Sequence, residues 1–272
     1  MMECKMSEDI RQALNLLAAR FRELHIDEQI DFDKFYLYAM VTHSTAIEGS
    51  TVTERENALM FEDGIVPAGR NLTEQLMNLD LKKAYELAAR MMDGGKAIGV
   101  RELQALSAAV LKNTGSEYHT VLGTFDSSAG DLRLVNMSAG RGGKSYLAWQ
   151  KVSAELEAFF VWLGEKRQGM RALDAASQYE VTFEAHYRLV QIHPWADGNG
   201  RVSRLLMNAI QKENGLLPAI VHREHKERYI ATLEAAEDRG DSKPFLDFMG
   251  REMMDLYRKY IAEYEQSISP RT

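Results

Sequence analysis

The stretch His193-Pro194-Trp195-Ala196-Asp197-Gly198-Asn199-Gly200-Arg201-Val202-Ser203-Arg204 decides the reading of this chain. It lies between two segments of helical periodicity. Pro194 ends the first, because its ring disfavours helix in the residue before it. Gly198 and Gly200 permit a tight turn whose backbone N–H groups converge, and the N–H groups of the helix starting near Arg201 face the same point. That is the geometry of an anion site. Arg201 and Arg204, three apart, share a helix face, while Leu205, Leu206, Ala209 and Ile210 supply the buried side. The expectation is a small phosphate cradle. Asp197 at its mouth suits Mg²⁺, held through one carboxylate with phosphates completing the shell. His193 stands beside it as a base whose ordinary pKa is near neutrality.

Outward from this loop the chain reads as mostly α-helical. It has five prolines in 272 residues, and apolar residues recur at helical spacing. Ile10, Leu14, Leu17, Phe21 and Leu24 mark a helix over about 8–24. A second stripe, Phe32, Phe35, Tyr36, Ala39, His43, Ala46 and Ile47, stops at Gly49, a usual residue just past a helix end. Further helices are expected over about 73–92, 101–113, 146–164, 174–191, 201–213, 225–238 and 243–265. Residues 119–145 break the pattern. There Leu132-Arg133-Leu134-Val135-Asn136 runs into Ser138-Ala139-Gly140-Arg141-Gly142-Gly143, which reads as a short strand and turn of a β-hairpin or flap, or else as a surface loop.

Composition narrows the function. The chain is 45% hydrophobic and 27% charged with net charge −7, a globular composition that argues against general nucleic-acid binding, which needs a basic face. Cys4 is the single cysteine, excluding an internal disulfide or a cysteine metal cluster. No apolar run approaches a membrane span, and charge rather than an apolar segment follows Met1-Met2-Glu3-Cys4-Lys5. A cytoplasmic protein without membrane or nucleic-acid partners is expected. His222 and His225 are open to two readings, a metal pair or a polar helix start.

The loop resembles the signature of the Fic family, His-x-Phe-x-Asp/Glu-Gly-Asn-Gly-Arg-x-x-Arg, with Trp195 in place of the usual phenylalanine. The preceding helix with His186 and Val190 is similar to the family's lead-in. The Leu132-to-Asn136 segment resembles its flap, and Arg228-Tyr229-Ile230-Ala231-Thr232-Leu233 resembles a downstream helix beside the nucleotide base.

The resemblance implies a Fic-type helical bundle with a β-hairpin flap: an N-terminal helical region over 1–95, a catalytic core over 96–240 and a C-terminal extension over 241–272. It implies transfer of AMP from Mg-ATP to a protein hydroxyl. His193 would deprotonate that hydroxyl, and Asp197 would bind Mg²⁺. Gly198, Asn199 and Gly200 would cradle the α- and β-phosphates, Arg201 would neutralise charge, and Arg204 would hold the γ-phosphate. Tyr229 would lie by the nucleotide, and Leu132, Arg133, Leu134, Val135 and Asn136 would dock a target segment by strand addition.

Ser44-Thr45-Ala46-Ile47-Glu48-Gly49 resembles the family's inhibitory motif, Ser/Thr-x-x-x-Glu-Gly/Asn, on a helix over about 33–49. Ser44 and Glu48, four apart, share a face. In relatives the glutamate pairs with the second signature arginine, here Arg204. An autoinhibited adenylyltransferase prone to self-modification and able to form a homodimer is the expectation. Removal of AMP, transfer of another nucleotidyl group, or a non-catalytic nucleotide-binding module are the alternatives.

Overall fold

Helix α8 (Asn199–Glu213) is the axis on which the other helices are arranged, and residues 201–208 along it are buried without exception. A helix buried on all sides must satisfy its polar residues internally. Asn208 takes the Tyr85 hydroxyl at 2.6 Å and donates to the Ala219 carbonyl at 2.8 Å. Gln211 donates to Thr182 Oγ1 at 2.9 Å and accepts the Ala219 N–H at 2.7 Å.

The computed structural model describes residues 4–29, 32–92, 96–138 and 144–268. The other helices are α1 (Glu8–Glu23), α2 (Phe32–Ile47), α3 (Glu54–Glu62), α4 (Leu72–Met92), α5 (Val100–Val110), α6 (Val152–Arg167), α7 (Ala175–Ile192), α9 (Lys226–Arg239) and α10 (Lys243–Ile268). The antiparallel hairpin β1 (Glu117–Thr120) and β2 (Gly123–Asp126) pairs Glu117 with Asp126 and Thr120 with Gly123. Helix α8 packs on α7, α4, α5 and α2, and α1 packs on α10 and α7. One apolar core runs from Met6 to Tyr257. Its N-terminal part is anchored by Glu180, which accepts the Met6 N–H at 2.7 Å and pairs with Arg11. Among the described residues, no helix is long and apolar enough to cross a membrane.

Most helices lie where periodicity puts them. Three features differ. Helix α3 was not anticipated, although Thr53 and Glu56 form a capping box: Thr53 Oγ1 accepts the Glu56 N–H at 3.3 Å, and Glu56 accepts the Thr53 N–H at 2.8 Å. Helix α6 starts at Val152 and not near 146, because Tyr146 is held out of it, its N–H donating to the Met137 carbonyl at 2.9 Å.

The third difference is a correction to the strand expected at 132–136. The two strands are at 117–126, whereas residues 132–136 form no strand. The Arg133 N–H donates to the Pro194 carbonyl at 3.0 Å, and its side chain is buried. These contacts turn the segment toward the signature loop and away from a strand partner. A single bridge, Ser138 to Ser145, closes it at the far end. The glycine-rich turn at 139–143 lies outside the described residues.

Candidate active site

Helix α7 stops before Pro194, and His193 takes the left-handed conformation (φ 50°, ψ 62°), which a non-glycine side chain adopts at a cost of roughly 1–3 kcal/mol. Its surroundings hold it there. Arg133 Nε donates to the His193 carbonyl at 2.7 Å, Nη1 to the Val135 carbonyl at 2.7 Å, and Nη2 to the Leu147 carbonyl. Trp195 is fully buried and donates from Nε1 to the Gly130 carbonyl at 3.2 Å, the aromatic anchor the loop needs. Asn199 braces the same turn, accepting the Trp195 N–H at 3.1 Å and donating to its carbonyl at 2.9 Å. The side chain of Asn199 is thus committed to shaping the loop, leaving its backbone N–H for an anion. Gly198 is required twice over: its φ is +79°, and a Cβ would stand 3.1 Å from Leu111 Cδ1.

The His193 ring stacks on Tyr146 at 3.5 Å, with planes 8° apart. Burial, reinforced by the Arg133 cation, pushes its pKa down to about 4. The imidazole is therefore neutral at pH 7, the form that accepts a proton. Nδ1 is buried with no hydrogen-bond partner among the described residues.

Asp197 accepts the Gly198 N–H at 2.6 Å and Arg201 Nη2 at 3.1 Å, yet its side chain is 54% exposed. Free lone pairs thus remain toward solvent, which fits a hard cation held by one carboxylate with the rest of its shell elsewhere. Arg201 is buried, and its Nε and Nη1 have no partner among the described residues. Buried guanidinium nitrogens without acceptors are unusual, and phosphate oxygens would satisfy them.

One turn on, every side-chain nitrogen of Arg204 has a partner. Nε donates to Ser44 Oγ at 2.9 Å, while Nη2 donates to the Ser44 carbonyl at 3.0 Å and to Glu48 Oε1 at 2.7 Å. Glu48 follows the end of α2, where Gly49 turns the chain with φ +104°. Its Oε1 lies 2.9 Å from the position a Cβ on residue 200 would take. The carboxylate therefore sits against the first turn of α8, where the helix dipole favours an anion. Beneath Arg204, Nη1 approaches the Tyr229 hydroxyl at 3.4 Å, and that hydroxyl lies 2.9 Å from His186 Nε2. Burial lowers the His186 pKa to about 3, so this imidazole is neutral.

The structure brings together His193, Asp197, Arg201 and Arg204, and joins Ser44 and Glu48 to them. Tyr229, expected beside a nucleotide, is 3% exposed and supports Arg204 from below. In the flap segment Arg133 is committed to carbonyls, Leu132, Leu134 and Val135 are half-buried, and Asn136 accepts the Trp149 N–H at 3.0 Å. Lys144 pairs with Asp238 of α9. Sequence reasoning missed Tyr146, and no local pattern marks it.

Residues 97–211 match the Fic/DOC family profile. The chain carries a Fic domain. Protein adenylyltransferase fic-1 of Caenorhabditis briggsae is 26% identical over 237 residues, 86% of this chain and 43% of that protein. Protein adenylyltransferase Fic of Culex quinquefasciatus is 28% identical over 225 residues, 80% of this chain and 41% of that one. The chain thus spans less than half the length of these curated relatives. A Fic domain containing signaling protein from Bacteroides thetaiotaomicron shares the fold with TM-score 0.78 at 19% identity, over 96% of this chain and all of that one. Fic-1 (aa134–508) from C. elegans does so with TM-score 0.73 at 23% identity, over 95% and 73% of the two chains.

Proposed function

We propose that this chain transfers AMP from Mg-ATP to a hydroxyl of a protein, itself included, and that Glu48 restrains the reaction. The observation that carries the reading is the contact of Glu48 and Ser44 with Arg204 at the head of a helix whose Arg201 still has unpartnered nitrogens. The relatives named as protein adenylyltransferases support the same activity.

Neutral His193, fixed by the Tyr146 stack and by Arg133, takes the proton of the attacking hydroxyl. Asp197 would hold Mg²⁺, which supplies charge neutralisation on the phosphates when bound. The backbone N–H groups at the start of α8 and the free nitrogens of Arg201 receive the phosphate charge as it shifts to the leaving group. Arg204 would hold the γ-phosphate once Glu48 leaves it. None of this requires a covalent intermediate on the protein, so catalysis comes from positioning and pre-organised charge. A target strand would lie along residues 132–136, where backbone pairing tolerates varied sequences.

The test uses ATP labelled at the α- or at the γ-phosphate, incubated with the purified chain and Mg²⁺. Label retained in protein from the α position alone supports adenylyl transfer. Label from the γ position, or tight nucleotide binding with no label retained from either, refutes it.

A further inference from the structure

Helix α2 makes a second polar junction one residue before Ser44. The His43 side chain is 13% exposed, and its Nε2 lies 3.3 Å from Glu54 Oε1 at the start of α3. Its Nδ1 accepts the Arg223 backbone N–H in a long hydrogen bond of 3.4 Å and so faces the turn that leads into α9. On that turn, the His222 ring centroid is 4.4 Å from that of His43, with planes crossed at 72°. Glu224 follows two residues later. One ligand atom from each of His43, His222 and Glu224 lies within 4.8 Å of the others.

Atoms bound to a tetrahedral zinc ion at about 2.0–2.2 Å are roughly 3.3–3.6 Å apart. Closing the cluster therefore takes on the order of an ångström of side-chain movement. Glu224 can supply it: its side chain is 64% exposed, and it pairs with Arg223 at 3.7 Å, a contact of a kind worth little in water. His43 has Nε2 toward the Glu54 carboxylate, which orients the ring as in metal-ligating histidines, and a metal at Nδ1 would replace the long 3.4 Å bond from the Arg223 N–H. Two imidazoles and one carboxylate select zinc or a neighbouring transition ion over Mg²⁺ or Ca²⁺, which demand oxygen. His225 is not among the ligand atoms that lie together, its Nδ1 pairing with Glu252 Oε2 at 2.8 Å.

We propose that His43, His222 and Glu224 bind a single transition-metal ion, zinc being the best match, and that the ion clamps α2 to the turn before α9. The site is separate from the phosphate cradle and stands on its own geometry. Its consequence rests on the Glu48 restraint proposed above. Helix α2 carries Ser44 and leads into Glu48, and α9 carries Tyr229, so the ion would fix both sides of Arg204 and slow transfer.

The full chain, stripped with a chelator and exchanged into chelator-free buffer, is titrated with Zn²⁺ alone in a calorimeter. One equivalent should bind. Glu224→Gln, at an exposed position that spares the fold, and His222→Ala should each weaken binding at least about tenfold, as should Glu54→Gln through loss of the orienting carboxylate. Asp197→Ala should bind zinc as the parent does. Absence of saturable zinc binding, or parent-like affinity in both His222→Ala and Glu224→Gln, overturns the site. In transfer assays, one equivalent of zinc should slow the parent and leave Glu224→Gln unaffected. Equal slowing of both overturns the clamp. Zinc binding that depends on His222 and Glu224, together with a Glu48→Gly variant no faster than the parent, would support the site and count against the Glu48 restraint instead.

Discussion

Arg201 and Arg204 stand one turn apart on α8 and are in opposite states. Arg201 donates to Asp197 through Nη2 and keeps two buried nitrogens without acceptors among the described residues. Arg204 gives every nitrogen to a partner, three of its four bonds going to Ser44 and Glu48. Leaving a buried donor unmade costs roughly 1–3 kcal/mol, so the Arg201 half gains when an anion arrives. The Arg204 half gains nothing, because the anion must displace one already there. The cradle is thus organised for phosphate on one side and closed on the other.

The largest effect should come from the base, which stands outside this contrast and calibrates it. His193→Ala should slow transfer about 10²–10⁴-fold while ATP affinity, measured calorimetrically, stays within a few-fold of the parent. A rate near the parent's would remove His193 from the mechanism.

A smaller change should come from the Arg204 side. Ser44→Ala removes one bond to Arg204 but leaves the Ser44 carbonyl and Glu48 in place. A single hydrogen bond of about 0.5–1.5 kcal/mol corresponds to roughly two- to tenfold in rate, so self-modification should rise by a few-fold. A fall in rate would show that Ser44 helps the productive state more than the restrained one.

The two halves also share an acid sensitivity. Burial lowers the pKa of His193 in the loop to about 4 and that of His186 beneath Tyr229 to about 3, from 6.5. A group that loses proton affinity on folding contributes stability that is complete above its unfolded pKa, and that contribution shrinks as pH falls from 6.5 toward the folded value. The urea midpoint should therefore be lower at pH 4.5 than at pH 7, and a His186→Gln variant should show a shallower fall. An unchanged slope in that variant would mean His186 is not one of the titrating groups.

The helices and the loop were legible because their determinants are local. Pro194, Gly198 and the apolar stripe of α8 act within a few residues, and Gly49 ends α2 the same way. The partners of Arg204 were visible as a motif at 44–49, though the support from Tyr229 and His186 was not, since it depends on three helices meeting. The strand expected over 132–136 was misplaced for a similar reason. Leu132, Leu134 and Val135 have strand character, but the shape there is imposed by Arg133, whose side chain reaches a carbonyl 60 residues away, and no periodicity encodes that. Helix α3 had a local signal, Thr53 and Glu56, that the apolar pattern obscured.

The Glu48 contact is tested most directly by comparing Glu48→Gly with the parent in self-modification with α-labelled ATP. A charge-assisted pair is worth about 1.5–3 kcal/mol, and the Glu48 side chain is 32% exposed, so solvent screening favours the lower end. At about 1.4 kcal/mol per factor of ten, the variant should label itself about tenfold faster, while Glu48→Gly combined with Arg204→Ala should lose that gain. A folded Glu48→Gly variant that labels no faster than the parent would contradict the restraint.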